Sequence, residues 1–125
     1  MYIYNLKNIC IMPYLIFKSN IKLSEEKRKQ LFSDFKEFII NDLGKSEQSI
    51  MLACQDNISM VFAGTDDPLA FIELRSLRLP EEKTKHLSRA ISELVKHNLE
   101  IPPERIFVNF FNVPPHMWGY KGSTF

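Results

Sequence analysis

One stretch of this sequence occurs twice. Glu25-Glu26-Lys27-Arg28-Lys29-Gln30-Leu31 returns as Glu81-Glu82-Lys83-Thr84-Lys85-His86-Leu87, an offset of 56 residues. Without a gap, the same offset pairs Phe35 with Ile91, Phe38 with Leu94, Ile39 with Val95 and Leu43 with Leu99. It also pairs Ile50 with Ile106, Leu52 with Val108, Leu15 with Phe71 and Ile16 with Ile72. Apolar positions matched over roughly forty residues mark the buried faces of a repeated unit. The chain is therefore expected to fold as two copies of one plan.

Each copy reads as strand, helix, strand. Tyr14 to Phe17 is a compact apolar run that suits a strand. Ser24 is a good N-cap, and Glu25 and Glu26 favour the positive end of a helix. Leu31, Phe35, Phe38 and Ile39 then form one helical stripe, extended by Leu43, and Gly44 supplies a stop. Ile50 to Cys54 reads as the second strand. In the other copy Leu69 to Leu77 is the strand, with an outward charge at Glu73. Pro80 opens the helix, and Leu87, Ile91, Leu94 and Val95 line it. Pro102-Pro103 blocks continuation, and Ile106 to Phe111 is strongly β-prone.

Two βαβ units with right-handed crossovers give an α/β (α+β) fold of ferredoxin-like plan: one four-stranded sheet with two helices on one face. Adjacent apolar pairs such as Met51-Leu52, Phe107-Val108 and Phe110-Phe111 make both sheet faces apolar. A bare second face would be an exposed patch of the kind that marks an interface. Association through the sheets is therefore expected. Symmetry favours a closed ring, without fixing the number of subunits.

The remaining composition narrows the function classes. The 125 residues suit one domain. A formal net charge of +1 offers no single-sign field for nucleic acid or anionic lipid. No apolar run approaches the ~20 residues that span a membrane. Cys10 and Cys54 form no CxxC pair or metal-spaced cluster, so a reducing compartment is the simpler assumption. His86, His97 and His116 have no metal-ligand spacing and read as surface residues. No cofactor is called for. Residues 1–12 make a poor signal peptide: Lys7 interrupts the apolar part and no small-residue cleavage site follows.

The C-terminal part carries a specific resemblance. Ile101-Pro102-Pro103-Glu104-Arg105-Ile106-Phe107, then Val108-Asn109-Phe110-Phe111, Trp118-Gly119-Tyr120 and the closing Ser123-Thr124-Phe125 resemble the end of the macrophage migration inhibitory factor and D-dopachrome tautomerase family. The likeness runs back through Glu73-Leu74-Arg75-Ser76-Leu77 and Gly44-Lys45 to Met12-Pro13. It divides the chain into an N-terminal extension, 1–12, and a family-like domain, 13–125. It implies a homotrimer and a phenylpyruvate-type tautomerase whose base is an N-terminal proline exposed by methionine removal.

That chemistry is physically sound. A free α-amine titrates near ~7.7–8.0, and burial beside a lysine lowers it further. An amine of that pKa is suited to removing a proton from carbon beside a carbonyl. The resemblance implies Pro13 as the base and Lys45 as the holder of the substrate carboxylate. It puts Ser76 and Leu77 beside the proline, Asn109 in from the neighbouring subunit, and Tyr14, Trp118 and Tyr120 around an aromatic α-keto acid. Phe107 stands where mammalian relatives have tyrosine, and Ser49 replaces an aromatic residue, which bears on substrate preference. Leu69 and Ile72 replace a mammalian CxxC pair, so thiol oxidoreductase activity is not expected.

Each assignment has a structural counterpart. Pro13 alone reads as a strand-start proline, and Lys45 as a cation near a helix C-terminus. Asn109 needs a partner in an apolar strand, and Trp118 and Tyr120 suit C-terminal packing. With residues 1–12 attached, Pro13 has an amide nitrogen and no basic lone pair. Either the chain begins at Met12 and is an active isomerase, or the extension is real and the protein is a catalytically silent, cytokine-like receptor binder. The first is the expectation. Residence in the cytoplasm or export without a leader fits either.

Overall fold

The structure, a computed structural model, describes residues 12–125. The expected extension lies outside the described residues except for Met12, as does Cys10. The main elements are β1 (Tyr14–Ser19), α1 (Glu25–Leu43), β2 (Met51–Gln55), β3 (Ala70–Ser76), α2 (Thr84–Leu99) and β4 (Ile106–Asn112). A C-terminal hairpin of β5 (Gly119–Tyr120) and β6 (Ser123–Thr124) follows. The sheet order is β2-β1-β3-β4. Within each repeat the strands are parallel, β1 with β2 and β3 with β4, and the repeats join through the antiparallel β1/β3 pair.

The two helices start differently. Ser24 caps α1 directly, its Oγ accepting from Lys27 N at 3.1 Å, and Gly44 ends the helix in the left-handed region at φ 65°. Pro80 has no side-chain acceptor. It precedes a 3-10 turn, Glu81–Lys83, and α2 begins only at Thr84. The expectation that Pro80 opens the helix therefore holds for this turn and not for the α-helix itself.

Both helices cover the same face of the sheet. Leu31, Phe35, Ile39, Leu87, Ile91 and Val95 are fully buried against Leu15, Phe17, Ile72 and Leu74. Each such side chain contributes about 1.5–3 kcal/mol on burial. Phe17 and Phe35 meet with ring centroids 6.1 Å apart.

Strand parity places Tyr14, Ile16, Met51, Phe71, Phe107 and Phe111 on the other face. That face is not uniformly apolar, and the outward charge expected at Glu73 lies on it. Its centre holds Glu73, 3.3 Å from the ammonium of Lys18 and 3.7 Å from the guanidinium of Arg75. Arg75 also lies over the Phe111 ring, 4.3 Å from its centroid. Lys18 and Glu73 are diagonal neighbours across the antiparallel pair, where long side chains meet.

The connection from β2 to β3 is held by Arg105 at the start of β4. Its guanidinium donates to the carbonyls of Pro68 and Phe62 at 3.0 Å, Asp67 at 3.0 Å and Thr65 at 3.3 Å. Phe62, on the same loop, sits edge-on to Phe107 at 4.7 Å.

Candidate active site

The topology gathers four strand ends. β1 enters at Pro13 and β2 at Met51, while β3 leaves at Ser76 and β4 at Asn112. Tyr14 is in register with Arg75, so Pro13 stands opposite Ser76. Pro13 is buried, and its carbonyl accepts from Met51 N at 3.0 Å. By parity it shares the helical side of the sheet with Leu15 and Ser76, whereas Tyr14 belongs to the open face and is half-buried.

Ser76 is fully buried, and its Oγ donates to the carbonyl of Leu77 at 2.8 Å. Leu77 is itself buried. The turn that follows is pinned at two points. Val113 N donates to Ser76 O at 2.9 Å, and Leu79 N donates to Asn112 Oδ1 at 3.1 Å. Between them Arg78 adopts φ 53° and is exposed.

Lys45 approaches the same end of the sheet from α1. The left-handed Gly44 turns the chain out of the helix, and Lys45 follows half-buried. Burial disfavours its cation and lowers its pKa below the ordinary lysine value. It borders a cleft of about 370 Å³ with Asp42, Gly44, Arg78, Pro80 and Lys83; Pro13 is not part of that lining.

The structure thus brings Pro13, Tyr14, Lys45, Ser76 and Leu77 to one end of the sheet. The other four expected residues lie elsewhere. Asn109 is exposed and in register with Glu73, three residues before the end of β4, or about 10 Å along the strand. Phe107 pairs with Phe71 near the opposite end and stacks on it at 6.4 Å. Trp118 and Tyr120 lie beyond β4 on the C-terminal segment. Trp118 is half-buried, and Tyr120 is 39% exposed and stacks on Phe125 at 5.8 Å.

Arg78, Lys83 and Arg105 escaped the sequence reading. Lys83 belongs to a mixed charge run that looks like a solvated helix face, and nothing in sequence distinguishes Arg78 or Arg105 from ordinary surface cations. Cys54 is half-buried, and burial together with the charge of Asp56 pushes its thiol pKa up. The three histidines are exposed. Among the described residues no group of three or more His, Cys, Asp or Glu could hold a metal, and no helix is long and apolar enough to cross a membrane.

Similarity to known proteins agrees with this architecture. The family model described as "Macrophage migration inhibitory factor (MIF)" matches residues 12–125. A macrophage migration inhibitory factor homolog of Trichuris trichiura is 30% identical over 115 residues, covering 91% of this chain and 100% of the relative. The macrophage migration inhibitory factor of Mus musculus is 27% identical over 115 residues, covering 91% and 99%. The crystal structure of the homologue from Prochlorococcus marinus superposes with a TM-score of 0.82 at 27% identity, covering 90% of this chain and 98% of the other. The chain belongs to the macrophage migration inhibitory factor family.

Proposed function

We propose that the protein, in the form whose N-terminus is Pro13, is a tautomerase acting on phenylpyruvate-like α-keto acids. The observation that carries this reading is the placement of a buried Pro13 opposite Ser76 and at the same end as a half-buried Lys45. A free pyrrolidine amine there removes a proton from C3 of the keto acid. The C3–H electron pair becomes the C2–C3 double bond, and the carbonyl pair moves onto oxygen. The prolinium returns its proton to that oxygen, which releases the enol and restores the base. Lys45 holds the carboxylate, a pairing strengthened by the partial removal of water around its ammonium.

The active unit is proposed to be a homotrimer closed through the open sheet face. Apolar Ile16, Phe71 and Phe111 on that face support this, as does the buried Nε of Arg75, which has no hydrogen-bond partner. The position of Asn109 supports it too. It is too far along the sheet to serve its own Pro13, so a neighbouring protomer would have to supply it.

A second reading rests on the same nitrogen. In the printed sequence Pro13 follows Met12, and an amide nitrogen has no basic lone pair. A protein that keeps residues 1–12 would be a catalytically silent, receptor-binding relative. Intact-mass measurement of natively expressed protein separates the two. Phenylpyruvate enolisation by protein starting at Pro13, abolished by Pro13→Gly, supports the tautomerase. Equal rates in both proteins would remove Pro13 from the mechanism.

A further inference from the structure

We infer that the cleft bordered by Lys45, Arg78 and Lys83 is an anion subsite that takes the second carboxylate of a dicarboxylic α-keto acid. The inference deepens the tautomerase reading by naming a substrate class for the site. Three cations and one acid, Asp42, line the cleft. Among the described residues none of the three cationic side chains is engaged in an ion pair or a side-chain hydrogen bond. Elsewhere on the protein Lys18, Arg28 and Lys36 each have a carboxylate within 3.5 Å. Unpaired like charges around a concave surface repel one another, and an anion relieves that repulsion.

The arrangement is held in place. Arg78 sits in a turn pinned by Val113 N and by Asn112 Oδ1, and Lys83 closes a 3-10 turn through its own N–H to Pro80 O at 2.9 Å. Lys45 follows directly on the left-handed Gly44 that ends α1. The lowered Lys45 pKa fits a cation that has lost water without gaining a counter-charge. At about 370 Å³ the cleft is large enough for a small organic acid. Lys45 would then take one carboxylate, and Arg78 and Lys83 the other.

The bland alternative is that these cations only offset the negative end of α1. A binding experiment separates the two. Calorimetric titration of the full chain compares 2-oxoglutarate with 2-oxopentanoate, which has the same carbon count and one carboxylate fewer. The native chain is expected to bind the diacid about tenfold more tightly, the size of one added charge-assisted contact. The double variant Arg78→Gly, Lys83→Met is expected to lose that ratio. Glycine suits φ 53° better than arginine does, and Lys83 is exposed, so the variant keeps its fold. Equal affinity for the two acids in the native chain, or a preference that survives the double variant, overturns the inference. Neither readout involves the Pro13 nitrogen. Binding of the diacid without enolisation would keep this subsite and remove the tautomerase. Enolisation without diacid preference would do the reverse.

Discussion

The two βαβ repeats share a plan down to single hydrogen bonds, yet only one ends its helix beside an open cleft. In both, the turn before the helix is pinned by an Asx side chain at the end of the second strand. Leu23 N donates to Asp56 Oδ2 at 2.7 Å, and its counterpart Leu79 N donates to Asn112 Oδ1 at 3.1 Å. In both, the helix ends in a left-handed residue, Gly44 at φ 65° and Glu100 at φ 58°. The next residue is where they part. Lys45 is half-buried and borders a cleft, whereas Ile101 is fully buried in the core. The strand starts differ as well. Joined to Met12, Pro13 has no N–H, while its counterpart Leu69 uses both backbone groups, its carbonyl accepting from Ser19 Oγ and its N–H donating to Asn20 Oδ1. A repeated backbone thus supplies two equivalent corners, one sealed by apolar packing and one bordering a cleft.

Substitutions at matched positions of the two repeats probe that difference, from largest effect to smallest. Pro13→Gly in protein beginning at residue 13 should cut phenylpyruvate enolisation about 10²–10⁴-fold, the usual contribution of a positioned base. The rate of enol formation in a continuous absorbance assay reports it. Ile101→Ala should cost about 2–5 kcal/mol in urea unfolding, because it empties a fully buried site. Lys45→Met, at the equivalent corner, should leave stability nearly unchanged and weaken carboxylate binding. If both corners respond alike in stability, the sealed-versus-open contrast is wrong.

Arg105→Met should cost about 1–3 kcal/mol, since several carbonyls of the 62–68 loop lose their donor together. Its repeat counterpart Ser49→Ala, which loses one hydroxyl contact to Ser46 O, should change stability by less than about 1 kcal/mol. Asp56→Asn should have the smallest effect, below about 1 kcal/mol at neutral pH for a partly exposed group. Its value lies in the pH profile. The Leu23 N–H, with a lesser contribution from Arg28, holds the Asp56 carboxyl below its usual pKa against the opposing effect of burial. That stabilisation is complete above the unfolded-state value of about 3.9 and is lost as pH falls through the folded value. Asp56→Asn should therefore flatten the acid side of the stability curve, whereas Asn112→Ala should not. Chemical denaturation across the acid range reads this directly.

Carboxylate binding should carry a signature of its own. Burial lowers the Lys45 pKa, so binding should weaken as pH rises through a value below the ordinary lysine one. A titration curve centred at the ordinary lysine pKa would show that burial does not act on this group.

Much of this was legible in the sequence. The repeat, the helix stripes, the Ser24 cap and the Gly44 stop are local signals set by periodicity and backbone preference, and they appear where the pattern put them. The likeness carried by Trp118-Gly119-Tyr120 and Val108-Asn109-Phe110-Phe111 pointed to the family. The delayed start of α2 was not legible, because a proline marks a helix entry without saying whether 3-10 or α hydrogen bonds follow it. The Lys18–Glu73–Arg75 cluster was hidden for another reason. Lys18 lies on a different strand from Glu73 and Arg75 and reaches Glu73 only through the antiparallel register.

By itself the sequence determined the repeated secondary structure and the candidates for chemistry, because both follow from residue type and short-range spacing. Only the tertiary structure decided which candidates lie near one another. Strand order and direction put Pro13, Ser76 and Lys45 at one end and Phe107 towards the other. They also turned Arg78 and Lys83, two unremarked surface cations, into the border of the same cleft as Lys45. Long-range pairing sets those distances, and no window of sequence contains them.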